Sequence, residues 1–174
     1  MPVKPDNTYE LCLMRHGMAV MRTSGAALDD AKRPLTAAGR ARMKEIARAL
    51  RRSGFVPDWI ITSPLLRAVQ TAEVVTKALG LEERPDICDG LAPGGSPEAL
   101  LALLGKRPER RRVLAVGHEP DLSEIAARMI GAGRHAKLGF KKGGCCLIGF
   151  DQFPPKSPGR LSWWLTPRIL RRLA

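Results

Sequence analysis

Short apolar runs alternate along this chain with longer stretches of helical period. The runs at 9–15, 59–62, 113–116, 145–150 and 160–165 are too short for helices and read as strands. After the first of them, Thr36 can cap a helix reaching to about residue 52. In that helix Met43, Ile46, Ala47 and Leu50 recur at the spacing of one buried face. Ser63-Pro64 predicts the opening of a second helix, with Pro64 in its first position and Gly80 as its stop. Leu65, Val69, Ala72 and Val75 or Thr76 would form its inner stripe. Ser96-Pro97-Glu98 opens a third helix, to about residue 104, and Pro120-Asp121 a fourth, to about residue 130.

Strands that alternate with helices predict an α/β fold of three layers, with a mostly parallel, doubly wound sheet in the middle. The last two runs are joined only by Pro154-Pro155-Lys156-Ser157-Pro158-Gly159, so they should pair antiparallel at an edge. Segments 23–33 and 90–96 are polar or rich in glycine and proline and follow predicted strands, which makes them candidate site loops. No internal repeat or low-complexity tract interrupts the pattern, and 174 residues suit a single domain spanning 1–174.

Composition narrows the class. Aromatic residues make up only 5% of the chain, so aliphatic side chains must fill most of the core. No run is apolar and long enough for a membrane helix, and the polar start lacks the apolar stretch of a signal peptide; a cytoplasmic protein without a membrane partner is expected. Cys12, Cys88 and the adjacent Cys145 and Cys146 lack zinc-site spacing and read as buried, reduced thiols. The net charge of +12 suits an anionic substrate, an acidic protein or nucleic acid. Its basic residues are dispersed and not interleaved with aromatics, so nucleic acid is not expected as the main partner.

The chemistry concentrates where three predicted strands end. Leu11-Cys12-Leu13-Met14 runs into Arg15-His16-Gly17. A guanidinium beside an imidazole suits a bound phosphoryl group, one clamping its charge and the other acting as nucleophile or acid/base. Ile60-Ile61-Thr62 runs into Ser63-Pro64-Leu65-Leu66-Arg67, which puts Arg67 near a helix start, where a second positive charge is unfavourable unless an anion intervenes. Without an anion, Arg67 could pair with Glu73. Val113-Leu114-Ala115-Val116-Gly117 runs into His118-Glu119-Pro120, where a charged His118 would need an anion or Glu119 beside it. A doubly wound sheet gathers these carboxyl ends at one edge. Two guanidiniums and two imidazoles around one cavity then call for a phosphate dianion.

These motifs resemble the histidine phosphatase superfamily, whose fold is phosphoglycerate-mutase-like. Leu13-Met14-Arg15-His16-Gly17 matches its defining motif. Arg33-Pro34-Leu35-Thr36 with Gly39, Ser63-Pro64-Leu65-Leu66-Arg67-Ala68 with Gln70-Thr71-Ala72, and Val116-Gly117-His118-Glu119-Pro120 follow in the order of its SixA-type phosphohistidine phosphatases. The resemblance covers nearly the whole chain. It implies that His16 accepts the phosphoryl group while Arg15, Arg67 and His118 bind it. Neutral His16 would attack phosphorus, and water would hydrolyse the phosphohistidine formed. With so much fixed positive charge, no metal and no cofactor is expected.

The general acid is open. Many members of the superfamily use a glutamate after the third strand, but here that loop offers Asp89. Asp29 or Asp30, shortly before Arg33, is another candidate, and a position often acidic in relatives holds Met18. An alkoxide needs an acid to leave, whereas imidazole, with an ordinary pKa of about 6.5, leaves far more easily. A site lacking a placed acid therefore favours phosphohistidine, most readily on a protein. The chain has no room for a large cap between Arg15-His16 and Arg67, nor over 80–112, so an open basic rim facing an acidic phosphoprotein is expected. Two alternatives stand beside this: a phosphatase of small phosphate esters or sugar phosphates, favoured by a competent acid at Asp89 or Asp30, and a non-catalytic phosphate- or nucleic-acid-binding module. A mutase is disfavoured because the long insert associated with that activity is missing. Inorganic phosphate or sulfate should fill the pocket in each case. Lys142, before Gly143-Gly144, could reach the pocket or be a solvated loop lysine, and His135 is expected to be exposed.

Overall fold

A computed structural model describes residues 8–21, 29–133 and 136–174. His135, and the part of segment 23–33 before Asp29, lie outside the described residues. In chain order the elements are β1 (Tyr9–Arg15), α1 (Ala37–Arg52), β2 (Trp59–Thr62), α2 (Leu66–Leu79), β3 (Asp86–Ile87), α3 (Pro97–Lys106), β4 (Arg112–Gly117), α4 (Asp121–Met129), β5 (Cys145–Phe150), β6 (Arg160–Leu165) and α5 (Pro167–Leu173). Short 3-10 turns at Asp30–Lys32 and Asp89–Leu91 sit in the loops after β1 and β3.

The strands form one sheet in the order β3-β2-β4-β1-β5-β6. The first four run parallel, and β5 and β6 are antiparallel, as the short connection between them required. Alternation along β1 splits the interior. Leu11 and Leu13 face a core shared with Leu100 and Leu104 of α3 and Leu122, Ile125 and Met129 of α4. Cys12 and Met14 face the opposite core, with Met43, Ile46 and Leu50 of α1, Ala72 and Val75 of α2 and Leu170 of α5. β2 and β4 are buried on both faces, which is why they read as unbroken apolar runs. The fold is thus the three-layer α/β arrangement, with no helix long and apolar enough to cross a membrane among the described residues. All four cysteines are buried and free.

Three features differ from the pattern reading. The second helix does not open at Ser63-Pro64 but begins at Leu66, with Leu65 as its cap residue. Ser63 stays extended because its N–H still bonds to Val116 in the sheet (3.0 Å) and its hydroxyl is engaged by His118 (2.8 Å). The two-residue strand β3 is too short to leave a period. Helix α5 reads only as a basic tail, although Thr166 caps it through the N–H of Ile169 and Pro167 takes its first turn.

Candidate active site

Arg15 ends β1, and the backbone immediately beyond it is held from three sides. The His16 N–H bonds to the Gly117 carbonyl at the end of β4 (3.1 Å), and the Gly143 N–H donates to the carbonyls of Arg15 (3.0 Å) and His16 (3.2 Å). The Gly17 N–H donates to the Thr71 hydroxyl (3.0 Å), which itself donates to the Arg67 carbonyl one turn back along α2 (2.7 Å). Thr71 therefore fastens the loop carrying His16 to the helix carrying Arg67. At Gly17 a Cβ would lie 2.8 Å from Met43 Cγ, so a larger residue would have to displace the Met43 side chain. At Gly39, under the same loop, a Cβ would lie 2.2 Å from the Met18 carbonyl oxygen.

The three strand ends bring Arg15, His16, Arg67 and His118 together. Arg67 Nε approaches His16 Nε2 at 3.4 Å, and the two imidazole rings lie 4.9 Å apart between centroids. His16, Arg67 and His118 are only 6%, 4% and 3% exposed, so this is a buried cluster of basic groups.

The hydrogen bonds assign the protons. His16 Nδ1 faces the Gly17 carbonyl at 2.7 Å, and a carbonyl can only accept, so Nδ1 carries the hydrogen. The lone pair of the neutral ring is then on Nε2, where it accepts from the Arg67 Nε–H (3.4 Å). Ser63 Oγ accepts the Leu65 N–H (3.3 Å) and lies 2.8 Å from His118 Nε2. When Ser63 donates its own hydrogen to Nε2, the neutral His118 ring carries its proton on Nδ1. That Nδ1 and Arg15 Nε are buried and have no partner among the described residues. A buried guanidinium N–H and a buried ring nitrogen that lack a protein partner are the groups a phosphoryl ligand would engage.

Burial, followed by the charges of Arg67, Arg15 and Lys142 and against the hydrogen bond to Gly17, lowers the pKa of His16 to about 4. Burial, then His16, Arg67 and Arg15, lowers that of His118 to about 3, with Asp30 opposing. Both rings are neutral at pH 7 in the empty pocket. His118 gets no counter-charge from its neighbour: Glu119 turns away, accepting from the Ser123 hydroxyl (2.7 Å) and the Phe140 N–H. The Phe140 carbonyl in turn accepts from Arg15 Nη1 (2.7 Å), so Glu119 steadies the peptide that aims Arg15.

The acid candidates separate. The partner of Arg67 is Asp30 and not Glu73: Arg67 donates to the Asp30 carbonyl at 2.7 Å and its carboxylate at 3.1 Å. Arg33 holds the same carboxylate at 2.7 Å. Burial works to raise the pKa of Asp30, but the Arg67 charge and the bonds from Arg33 and Arg67 outweigh it and hold it at about 2. In this arrangement Asp30 is a fixed carboxylate, with no proton to give at neutral pH. Asp29 caps the 3-10 turn by accepting the Ala31 N–H (3.1 Å). Asp89 opens the turn beyond β3, and its exposed side chain meets none of the four basic residues among the described contacts. Lys142 is exposed, yet its charge reaches His16. Among the described residues no group of His, Cys, Asp and Glu could hold a metal ion.

Pattern reading found the four basic residues but missed the residues that arrange them: Ser63, Thr71, Phe140 and Gly143. Ser63 was legible only as a helix opener, and Phe140 carries no chemical signal because its carbonyl does the work.

The comparisons with known proteins agree with this geometry. Residues 11–92 match the family model of the histidine phosphatase superfamily (branch 1). An uncharacterized protein of Picosynechococcus is 43% identical over 143 residues, 80% of this chain and 83% of its own. The phosphohistidine phosphatase SixA of Escherichia coli is 29% identical over 122 residues, 69% of this chain and 73% of its own. The structure of the protein histidine phosphatase SixA complexed with tungstate superposes with a TM-score of 0.77 at 25% identity, covering 92% of this chain and 99% of that one. The chain belongs to the histidine phosphatase superfamily, in its SixA-type branch.

Proposed function

We propose that this protein removes phosphoryl groups from phosphohistidine, most readily on a protein, through a covalent intermediate on His16. The observation that carries the reading is the protonation of His16: a neutral ring with its hydrogen on Nδ1 and its lone pair on Nε2, beside Arg67. Nε2 attacks phosphorus in line, the new N–P bond forms, and the N–P bond to the substrate breaks. Arg15, Arg67 and His118 take the equatorial oxygens, with Arg15 Nε and His118 Nδ1 as the waiting donors. The incoming dianion favours the imidazolium form of His118, which takes its proton from solvent. Water then displaces the phosphoryl group, and His16 departs as neutral imidazole because Nδ1 has kept its hydrogen on the Gly17 carbonyl.

The leaving group selects the substrate. Asp30 is committed to two arginines and Asp89 lies outside the cluster, so among the described residues no carboxylic acid is placed to protonate an alkoxide. Phosphohistidine needs none, because the far nitrogen of its own ring takes a proton from water near its pKa of about 6.5. The test is phosphate release from a phosphohistidine peptide and from a panel of alkyl and sugar phosphates, with His16→Ala alongside. Faster release from the peptide, abolished in the variant, is expected. Better turnover of simple esters would overturn the substrate assignment. No release from any substrate by the folded protein would overturn the catalytic one.

A further inference from the structure

Beside the phosphoryl pocket runs an open groove of about 480 Å³ that reaches from Arg15 and Gly17 to helix α5. Met43 and Ile46 lie beneath it, each only 1% exposed, and Gly143 packs over them so closely that a Cβ there would lie 2.9 Å from Ile46 Cδ1. Its rim is Arg42 of α1, Lys141 and Lys142 of the loop before β5, and Arg168 and Arg171 of α5, all exposed. Arg171 is paired with Glu45, but Arg42, Lys141, Lys142 and Arg168 have no carboxylate partner among the described residues. The arginines at the other end of the sheet contrast with them. Arg107, Arg110 and Arg112 are paired there with Glu83, Asp86 and Glu10. Unneutralised charge therefore stands at the mouth of the active site.

We infer that this groove docks an acidic surface of the substrate protein, with carboxylates that flank the phosphohistidine on Arg42, Lys141 and Arg168. The inference rests on the proposed phosphatase activity and says which phosphohistidine proteins it favours. The lining decides between occupants. Among the described residues no serine, threonine, asparagine, glutamine or tyrosine lines the groove, so the described lining offers sugar hydroxyls cations and no neutral hydrogen-bonding side chain. An acidic segment meets the rim with complementary charge. Reach points the same way, since the groove is continuous with Arg15 and Gly17 and a chain entering it carries its neighbouring phosphohistidine toward His16.

Two synthetic peptides test this, each with one central phosphohistidine, flanked in one by glutamate and aspartate and in the other by lysine. The probe for the pocket alone is phosphoimidazole. The acidic peptide should show a kcat/KM at least about tenfold above the basic one at low salt, an advantage that 0.5 M sodium chloride removes. Arg42→Glu/Arg168→Glu should abolish the advantage and leave phosphoimidazole turnover within about twofold, with thermal melting confirming the fold. Equal kcat/KM for the two peptides, or a parallel loss on phosphoimidazole in the variant, would overturn the docking. If no phosphohistidine compound is turned over, the activity reading fails by itself. The docking is then read from fluorescence anisotropy of the labelled, unphosphorylated peptides on His16→Ala protein. Tighter binding of the acidic peptide, lost in the charge-reversed variant, supports it, and equal binding refutes it.

Discussion

An anion entering the pocket should bring a proton with it, and the amount can be worked from the geometry. His118 has a pKa of about 3 in the empty pocket, with burial the leading cause. A single negative charge about 4 Å away, at an effective dielectric of about 20, favours the imidazolium by about 4 kcal/mol, or roughly three pKa units. A dianion doubles that. With sulfate bound, His118 should therefore titrate somewhere between about 6 and 9. Sulfate is the right probe because it does not titrate in this range, whereas phosphate does. The background should be His16→Asn, which removes the other buried imidazole. Affinity then rises as pH falls through the bound pKa and keeps rising until the free one. From pH 8 to pH 5.5 sulfate should bind at least about fourfold more tightly, with uptake of most of one proton at the lower pH. Calorimetry in two buffers of different ionisation enthalpy measures both quantities. Adding His118→Gln should remove the pH dependence and the proton uptake together. A flat affinity and no proton uptake in the His16→Asn protein would refute the protonation of His118.

Other outcomes follow from the same contacts. Ser63→Ala should leave His118 Nε2 without its partner, free the ring to change tautomer and lower kcat by about tenfold, at a cost of about 1–3 kcal/mol of stability; unchanged kcat in a folded variant would remove Ser63 from the mechanism. Thr71→Val strands the buried Gly17 N–H and should cost about 1–3 kcal/mol in urea unfolding, with a fall in kcat larger than any change in KM. Stability should fall in acid. His16 and His118 titrate at about 4 and about 3 when folded but near 6.5 when unfolded, so the unfolded chain binds more protons below 6.5. The loss begins as pH falls through 6.5, continues toward 4 and amounts to roughly 2–4 kcal/mol by pH 5, which urea titrations at pH 7.5 and pH 5 would show. His16→Asn/His118→Asn should flatten that dependence.

The acid question shows where sequence reading stopped. Asp30 and Asp89 are both loop aspartates at reasonable distances along the chain, and nothing in their local sequence separates them. Arg67, 37 residues beyond Asp30, separates them by holding one in a charged clamp, while the other stays outside the cluster. Glu119 is similar. It adjoins His118 in sequence, yet its carboxylate serves Phe140, because the backbone turn aims successive side chains apart. The groove beside the site was out of reach for the same reason. Its cations come from α1, the loop before β5 and α5, and read one after another they are only dispersed positive charge.

The sequence by itself determined five of the six strands, four of the five helices and the four basic residues at the strand ends, because each follows from local chemistry. A run of buried aliphatic residues has few alternatives to a central parallel strand, and glycine and histidine at its end have few reasons to stand there without a ligand. Only the tertiary structure decided where the protons sit. The hydrogen on His16 Nδ1, the unpartnered nitrogens of His118 and Arg15, and the committed carboxylate of Asp30 each depend on a partner supplied from elsewhere. Gly17 supplies one at one residue's distance, but Ser63, Phe140 and Arg67 lie tens of residues away from the groups they fix. Proton affinity depends on burial and on charge within a few ångströms, and a linear pattern carries neither quantity.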